Sequence, residues 1–290
     1  MIQESELILH EDGSIYHLHL LPEQVATLII TVGDPDRVEK VSRYFDHIEH
    51  RVRKREFVTH TGRIGKTRLS VISTGIGADN IDIVVNELDA LFNIDLASRV
   101  PAKQITPLTI IRVGTSGSIR SEIGVDSLLM SRYAFGFDGL LRFYDAPGLC
   151  NNAWLDALAQ VTRHSEGLPC LPYFAEADSD LIAKFSADFY PGVTATNAGF
   201  YAPQGRQLRA AIAVPDLITM LQKFDYQGNK ITNLEMETAA IYGLATILGH
   251  KAISLNAILA NRATGAFSPN PEKTERKLIE TVLEKISSGI

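Results

Sequence analysis

The sequence predicts an α/β fold: a three-layer sandwich around a central mixed, largely parallel sheet. Three observations lead to this prediction. Short apolar runs rich in β-branched residues alternate with amphipathic helical patterns along most of the chain. No linker or low-complexity stretch interrupts the alternation, so we expect a single domain over residues 1–290. With 45% hydrophobic residues, the chain can bury a large core.

The first regular element is predicted at 26–32, where ATLIITV is apolar and rich in β-branched residues. A turn follows, in which Asp34 can cap a helix and Pro35 suits its first position, so a helix is expected to about residue 45. Residues 1–26 have neither period and are expected to be irregular. The chain therefore begins its regular structure with a strand, a turn and a helix.

The remaining elements follow from the same two patterns. Apolar or alternating runs predict strands at 57–61, 68–73, 108–111, 127–133, 192–197, 231–234 and 253–259. Apolar positions three and four residues apart predict helices at 78–92, 154–161, 181–185, 215–224, 238–248 and from Pro271 to about residue 286. Polar or Gly-rich stretches predict loops at 93–106, 134–150 and 200–206.

Composition excludes several classes of function. The net charge is −6 and there is no basic tract, so nucleic-acid and acidic-membrane binding have no electrostatic support. Two cysteines, Cys150 and Cys170, have neither the number nor the spacing of a disulfide framework or a zinc site. The acidic N-terminus does not resemble a signal peptide, and no apolar run approaches the roughly 20 residues of a membrane span. We therefore expect a cytoplasmic protein.

The segment LTIIRVGTSGSI at 108–119 combines an apolar run with an arginine and small polar residues. We expect the strand to end near Arg112, with Gly114 and Gly117 forming a tight turn whose N–H groups approach a ligand. A buried arginine needs an anionic partner, and Thr115 could add a hydroxyl donor. A phosphate cradle is one interpretation. A Gly-Ser turn beside a structural salt bridge is an equal alternative.

Other polar side chains also follow predicted strands. Arg37 lies in the first turn of a helix, where a cation opposes the helix dipole unless it holds an anion; an exposed arginine is the alternative. Glu235 and Glu237 could bind sugar hydroxyls, although Glu235 could instead brace the helix after it. Gln204 and Arg206 have the donors and acceptor that read a planar amide edge. Ligands of such sheets bind outside the carboxyl ends of the strands, so one site could collect these residues.

The sequence lacks a metal-ligand cluster, a Ser-His-Asp order and a Walker motif. Candidate groups for phosphate, sugar and base are present without a metal or a covalent nucleophile. This combination indicates phosphorolysis of a nucleoside.

Eight short motifs occur in order: HLHL at 17–20, GDPDRV at 33–38, REF at 55–57, STGIG at 73–77, RVGTSGS at 112–118, FYAPQGR at 200–206, LEMET at 234–238 and NR at 261–262. As an ordered set they resemble the nucleoside phosphorylase-I superfamily, and within it the uridine phosphorylases. The resemblance implies the fold of that superfamily and reversible phosphorolysis of uridine to uracil and ribose 1-phosphate in pyrimidine salvage.

The resemblance also implies site residues, among which Arg112, Glu237, Gln204 and Arg206 would act most directly on the reacting groups. The implied contacts are Gly33, Arg37, Arg112, Thr115 and a neighbouring subunit's Arg55 for phosphate; Met236, Glu237 and, across the subunit boundary, His17 for ribose; and Phe200, Gln204, Arg206 and Arg262 for the base.

The same resemblance implies a homo-oligomer, either dimer or hexamer, with shared active sites. No cofactor is required, because phosphate is a co-substrate. Some members bind a monovalent cation such as potassium at positions that match Glu56, Ile76 and Asn80. Because the third position is commonly serine, Asn80 leaves that cation site open.

Three alternatives remain at this point. A purine nucleoside phosphorylase would need an aspartate near Asn261. A nucleosidase of the same fold would use water, which does not explain the candidate phosphate arginines. A nucleoside-binding protein without activity would lack Arg112 or Glu237, and both are present. For His17, a simple surface histidine is the alternative.

Overall fold

The computed structural model describes residues 1–162, 168 and 170–289. Its strands are β1 (Leu28–Val32), β2 (His47–Lys54), β3 (Phe57–Ile64), β4 (Thr67–Ser73), β5 (Ile94–Asp95), β6 (Val100–Pro101), β7 (Thr109–Ser118), β8 (Leu128–Phe137), β9 (Tyr173–Glu176), β10 (Tyr190–Asn197), β11 (Ile231–Glu235), β12 (Lys251–Asn261) and β13 (Ala266–Phe267). Its α-helices are α1 (Pro35–Ser42), α2 (Ala78–Asn93), α3 (Pro147–Cys150), α4 (Ala153–Val161), α5 (Ser179–Phe185), α6 (Leu217–Lys223), α7 (Thr238–Leu248) and α8 (Pro271–Ser287).

An eleven-stranded mixed sheet organises these elements, and this confirms the predicted fold class. Along the sheet the strands follow the order β13-β12-β8-β10-β11-β7-β1-β4-β3-β2, with β9 beside β8. Because β12 also pairs with β7, the strands β7, β12, β8, β10 and β11 close into a ring. Within this ring β10 is parallel to both β8 and β11, so their ends define two opposite openings.

Helix boundaries agree well with the prediction where the signals are local. The Asp34 side chain caps α1 by accepting a hydrogen bond from the Asp36 N–H, and the Asn270 side chain caps α8. The α7 helix spans residues 238–248 as predicted and is buried along most of its length, in keeping with its apolar character all round. Outside the strands, the N-terminal 26 residues are irregular as predicted, with one short 3-10 turn at Pro22–Gln24.

Several predicted boundaries in the sheet are wrong. The strand at 108–111 does not end near Arg112: β7 continues to Ser118 because β12 pairs with it along almost its whole length. In the same way β8 extends to Phe137, into the predicted 134–150 loop, and the 93–106 loop contains the pair β5 and β6. The strands β2 and β9 were not predicted. In β2 the sequence HIEHRVRK is polar and mostly outside the core, so only its pairing with β3 makes it a strand.

The apolar interior has two main parts. The larger cluster packs between the sheet, α2, α7 and α8. The second includes the surroundings of Trp154, whose ring centre lies 4.6 Å from that of Phe174, so Trp154 packs α4 against β9. Among the described residues, no helix is both long and apolar enough to cross a membrane.

Candidate active site

A cavity of about 840 Å³ opens just beyond the carboxyl ends of β1, β4 and β11, beside the second half of β7. The predicted gathering of residues at this edge is confirmed in its main part. The cavity wall includes these predicted site residues: Gly33, Arg37, Arg112, Thr115, Phe200, Gln204, Arg206, Met236 and Glu237. Gly75 also lies on the wall, as do Glu56, Ile76 and Asn80, at the positions of the suggested cation site. His17, Arg55 and Arg262 do not belong to the wall.

Arg112 is the buried charge at the centre of the sheet wall. Its guanidinium donates from Nη2 to Glu237 Oε2 at 2.6 Å and from Nη1 to Asn256 Oδ1 at 2.9 Å. A second carboxylate oxygen, Oε2 of Glu235, lies 3.3 Å from Nη2. Burial opposes the charged guanidinium, but the two carboxylates outweigh it and raise the pKa of Arg112. The arginine therefore stays cationic inside the protein.

Gly114 explains why Arg112 can lie along its own strand. A Cβ at Gly114 would be 2.0 Å from Arg112 Nη1, so only a residue without a side chain leaves room for the guanidinium. The glycine therefore serves close approach within a strand, and the predicted tight turn at 114–117 is wrong.

Glu235 and Glu237 play different structural parts although they are two residues apart. Glu235 Oε2 accepts hydrogen bonds from the N–H groups of Glu237 and Thr238, each at 2.9 Å, which confirms that it braces the start of α7. Glu237 Oε1 accepts from the Gly77 N–H at 2.9 Å, and its other oxygen faces Arg112. Burial raises the pKa of Glu237 despite the opposing effect of Arg112. The Glu235 carboxylate also accepts a hydrogen bond from the Thr196 hydroxyl, whereas that of Glu237 has no hydroxyl partner among the described residues.

Arg37 is buried, so the alternative of an exposed arginine is wrong. Its Nη2 lies 2.9 Å from Glu275 Oε2 on α8, and the same carboxylate holds Lys40 at 2.9 Å. Burial opposes ionisation of Glu275, but Arg37 and Lys40 together lower its pKa. The Arg37 Nε is buried without a hydrogen-bond partner in the described part of the chain, on a side chain that lines the cavity.

The opposite wall is the loop at 200–206, which includes a short 3-10 turn at Ala202–Gln204. Arg206 Nη1 donates to Gln204 Oε1 and to the Phe200 carbonyl, both at 2.7 Å. Its guanidinium lies 3.8 Å from the centre of the Phe200 ring, a cation–π contact. Phe200 is 51% exposed, so it is not part of the core. Ring, amide and guanidinium thus form one local group that faces the cavity.

Arg262 supports this loop from behind. It donates to the carbonyls of Gln204 at 2.9 Å and Gly205 at 3.2 Å. The expectation that Arg262 lines the base pocket is thus not met: it contacts backbone of the loop. Burial, and then the nearby Arg262 cation, lowers the pKa of Arg206 to about 10. Two cations close together make this wall favourable for a partial negative charge.

His17 and Arg55 lie together away from the cavity wall, joined by Tyr16. The Tyr16 ring is 4.8 Å from the His17 ring, and the Arg55 guanidinium lies 5.8 Å from its centre. His17 Nδ1 is 2.6 Å from Glu87 Oε1, so His17 is held in place by its own chain. Arg55 adopts a positive φ of 53°, which is uncommon for a residue with a side chain.

Three contributors to the site were missed in the sequence: Glu87, Asn256 and Glu275. Glu275 had a usable signal, because it shares the apolar face of α8 with Leu278 and Ile279, and a carboxylate on a buried face needs a partner. Asn256 is likewise a polar residue within an apolar strand. Within the described ranges no group of three or more His, Cys, Asp or Glu residues could hold a metal ion.

Comparison with known proteins gives a consistent result. Residues 27–287 match the family model described as the phosphorylase superfamily. A uridine phosphorylase of Thermococcus kodakarensis is 30% identical over 282 residues, covering 95% of this chain and 87% of that protein. A purine nucleoside phosphorylase of the DeoD type from Hahella chejuensis is 25% identical over 276 residues.

Among solved structures, a Trypanosoma brucei nucleoside phosphorylase, reported to show uridine phosphorylase activity, has a TM-score of 0.88. It is 28% identical, and the match covers 98% of this chain and 100% of that chain. The likeness therefore extends over nearly the whole chain.

Proposed function

This chain belongs to the phosphorylase superfamily, and we propose that it catalyses the reversible phosphorolysis of uridine to uracil and ribose 1-phosphate. One observation carries the proposal: a single cavity has a buried arginine–carboxylate group on its sheet wall and a Gln–Arg pair on its loop wall. The first group suits phosphate and ribose, and the second suits the edge of a pyrimidine. The relatives named uridine phosphorylase support this assignment.

In the proposal, phosphate binds between Arg112 and Arg37, with Thr115 and the backbone at Gly33 completing its surroundings. The Arg37 Nε supports this role, because it is buried without a hydrogen-bond partner in the described part of the chain. A buried donor without a hydrogen bond is costly, and phosphate supplies an acceptor. Arg112 is already cationic and fixed, so it needs little reorganisation to meet the dianion.

Ribose binds beside Glu237 and Met236. Glu237 can accept hydrogen bonds from a pair of sugar hydroxyls. Within the described chain its carboxylate accepts from Arg112 and from the backbone N–H of Gly77, one donor to each oxygen, which leaves further lone pairs for a ligand. A phosphate dianion beside Arg112 offsets part of the positive charge that acts on Glu237, without moving the guanidinium. The Glu237 carboxylate then becomes a better acceptor for the sugar hydroxyls.

The uracil ring packs on Phe200, and its amide edge meets Gln204 and Arg206. Unbound, these two side chains satisfy each other, with the Arg206 Nη1 donating to Gln204 Oε1 at 2.7 Å. Uracil offers a carbonyl and an N–H in the same plane, so it can take up the amide and guanidinium together. Arg262 acts by holding the loop carbonyls.

The reaction proceeds by cleavage of the bond between the sugar C1′ and the uracil nitrogen. The bonding electron pair leaves with uracil, while a phosphate oxygen forms the new bond to C1′. Positive charge on the sugar is stabilised by the phosphate, and negative charge on uracil by Arg206 and Gln204. Fixed electrostatic contacts of this kind are worth on the order of 10²–10³ in rate each. No cofactor is needed, since phosphate is the nucleophile and uracil leaves as an anion.

The purine alternative has a specific observation against it. Asn261 stands where an aspartate is expected for purine protonation, and its Nδ2 donates to the carbonyls of Arg120 and Ile123, both at 2.8 Å. Its Oδ1 accepts from the N–H groups of Ala263 and Thr264. The amide therefore serves the backbone turn after β12.

One assay separates the candidate functions. The protein is incubated with uridine or inosine, with and without phosphate, and free base is measured by chromatography. We expect uracil only when uridine and phosphate are both present. Uracil without phosphate would show a hydrolase, hypoxanthine as the main product a purine enzyme, and no free base in any mixture a binding protein.

The proposal includes a homo-oligomer, dimer or hexamer, with shared active sites. His17 and Arg55 lie outside the cavity of their own chain but share a partly exposed patch through Tyr16. The family resemblance assigns both residues to the active site of a neighbouring subunit. Their adjacency supports this assignment, because both must then reach that site from the same surface. Both residues also have contacts within their own chain, His17 with Glu87 and Arg55 with the Tyr16 ring.

Mixed oligomers test the shared site. An Arg55→Ala chain and a Glu237→Gln chain should each be nearly inactive alone. After mild dissociation and mixing, random pairing should restore about one quarter of wild-type activity, because only mixed dimers have an intact site. Mixed oligomers verified by mass that remain inactive would show that Arg55 does not act across subunits.

Two further parts of the proposal are independent of the chemistry. A monovalent cation such as potassium would bind at Glu56, Ile76 and Asn80. All three lie on the cavity wall, and each can offer an oxygen ligand, Ile76 through its backbone carbonyl. A higher melting temperature in potassium than in tetramethylammonium chloride, lost in Glu56→Gln, is the expected result. A cytoplasmic location remains a prediction from composition.

A further inference from the structure

A second cavity, of about 190 Å³, lies at the opposite end of the strand ring, where β10 and β11 begin. It is separate from the candidate active site, because Thr232 on its wall precedes Glu235 by three residues on β11, about 10 Å along an extended strand. Its volume is below the roughly 300–1,000 Å³ of pockets for drug-sized ligands, but it exceeds the space that one water needs. It therefore suits a small ligand.

Two β-bulges shape this cavity. Between β8 and β10, Ser131 pairs with Gly192 and Tyr133 with Val193, so Arg132 is an extra residue. Between β10 and β11 the register likewise shifts next to Val193, where Thr232 is the extra residue. Bulges redirect side chains and recur next to binding sites. Here both bulges lie at the same level on either side of β10, and both extra residues line the cavity.

Gly192, which lies between the two bulges, allows the side chains of Thr232 and Leu129 to approach β10 closely. A Cβ at this position would lie 2.4 Å from Thr232 Oγ1 and 3.1 Å from the Leu129 side chain. Any larger residue at this position would therefore displace the side chain of Thr232 or Leu129.

The charges on the wall are predominantly positive. Arg120, Arg132 and Lys230 face one carboxylate, that of Glu122. Arg120 is fixed, because its guanidinium donates to the carbonyls of Ile231 and Gln222, both at 2.7 Å. Carbonyl partners hold the guanidinium in place, and the carboxylates of Glu122 and Asp225 offset part of its charge.

Arg132 is the group that still lacks a partner. Its Nε is buried and has no hydrogen bond, and among the described residues its guanidinium forms no ion pair. The guanidinium forms a cation–π contact with Tyr133, whose ring centre lies 5.4 Å away. A partly buried guanidinium with an unused donor favours an oxyanion that accepts two parallel hydrogen bonds.

We propose that this second cavity is a binding site for a small oxyanion of the phosphate class, held by Arg132 with Lys230 and Arg120. The ligand is either inorganic phosphate or the phosphate group of a small phosphomonoester. The proposal does not depend on the reaction at the first cavity.

Equilibrium dialysis with labelled inorganic phosphate tests it. Wild-type protein should bind one phosphate per chain more than Arg132→Gln, in which binding at the second cavity should be at least roughly tenfold weaker. Arg276→Gln, an exposed arginine on α8, is the matched control and should keep both sites. Unchanged binding by Arg132→Gln, or the same loss in Arg276→Gln, would overturn the proposal.

Two further measurements keep the test decisive. If Arg132→Gln does not fold by circular dichroism, Lys230→Gln takes its place, since Lys230 is exposed and its charge acts on the same cavity. The phosphate KM of uridine phosphorolysis should be unchanged in the folded variant, which separates this site from the catalytic one. Displacement of one labelled phosphate by glucose 6-phosphate would identify a phosphomonoester site, and failure to displace it a site for phosphate itself.

Discussion

The two walls of the candidate active site are built in opposite ways. On the sheet wall, Arg112 takes its partners from segments more than a hundred residues away, and all of them are buried. On the loop wall, Arg206 bonds to Gln204 and Phe200, which are two and six residues away. The sheet wall is therefore fixed by contacts between distant segments, whereas the hydrogen bonds of Arg206 are local and Arg262 holds the loop through two of its carbonyls.

Arginine thus has two different roles in one cavity, Arg112 on the sheet wall and Arg206 on the loop wall. A buried arginine between two carboxylates is part of the stability of the protein as well as of its site. A loop arginine over an exposed ring contributes mainly to binding. Substitutions on the two walls should therefore separate effects on stability from effects on activity.

The largest effect should come from Arg112→Ala. It leaves the buried carboxylates of Glu235 and Glu237 without their cation, so we expect a loss of roughly 3–5 kcal/mol in the free energy of unfolding. Phosphate binding should be lost as well, and more completely than uridine binding. Urea denaturation and calorimetric titration measure the two quantities. A normal stability together with an unchanged phosphate KM would remove Arg112 from both roles.

The same substitution on the other wall should leave stability nearly intact. In a Gln204→Ala, Arg206→Ala variant both hydrogen-bonding partners are removed together, which costs little. We expect kcat/KM for uridine to fall on the order of 10³, since two contacts to the leaving base are lost.

Arg209→Ala is the matched control for the loop, because Arg209 is exposed a few residues further along. It should behave as wild type. If the double variant instead lost stability while keeping its activity, the contrast between the walls would be reversed and the assignment of the base site would be wrong.

A subtler change to the sheet wall is Gly114→Ala. Its Cβ would collide with the Arg112 guanidinium, which must then move while its charge remains. Because small misplacements of binding groups are costly in catalysis, kcat/KM should fall on the order of 10² with less destabilisation than in Arg112→Ala. Gly124→Ala is the control, since a Cβ there meets open space. Equal activity in both variants would show that the position of Arg112 is not critical.

The smallest effect is expected for Arg262→Gln, which acts on the loop wall through two backbone carbonyls. Losing these bonds should raise the KM for uridine by roughly tenfold or less, with kcat little changed. Arg262→Lys should recover part of the loss. A large fall in kcat, with no recovery by lysine, would show instead that Arg262 contacts the reacting base.

Much of the fold could be predicted from the sequence because its signals are local. The caps at Asp34 and Asn270 and the bounds of α7 depend on residues within a turn or two of one another. Pro203 and Gly205, which predict the 200–206 loop, are an equally local signal. Such features need only the helix or strand period and the chemistry of neighbouring side chains.

Strand ends and the partners of the charged residues were a different matter. The extension of β7 past Arg112 is stabilised by β12, which lies far along the chain, and no local pattern announces that pairing. The role of Gly114 was missed for the same reason, since a glycine in a strand and one in a turn look alike in sequence.

By itself, the sequence determined the alternating α/β pattern, the helix caps and the chemical types of the residues that meet in the cavity. Only the tertiary structure decided that five strands close into a ring, that Glu275 holds Arg37 and that Arg262 faces backbone. Nor does the sequence show the two bulges beside Val193 or the second cavity that Arg132 lines. The physical reason is that these contacts join distant segments: their register and distance follow from how whole strands and helices pack, which a local period does not specify.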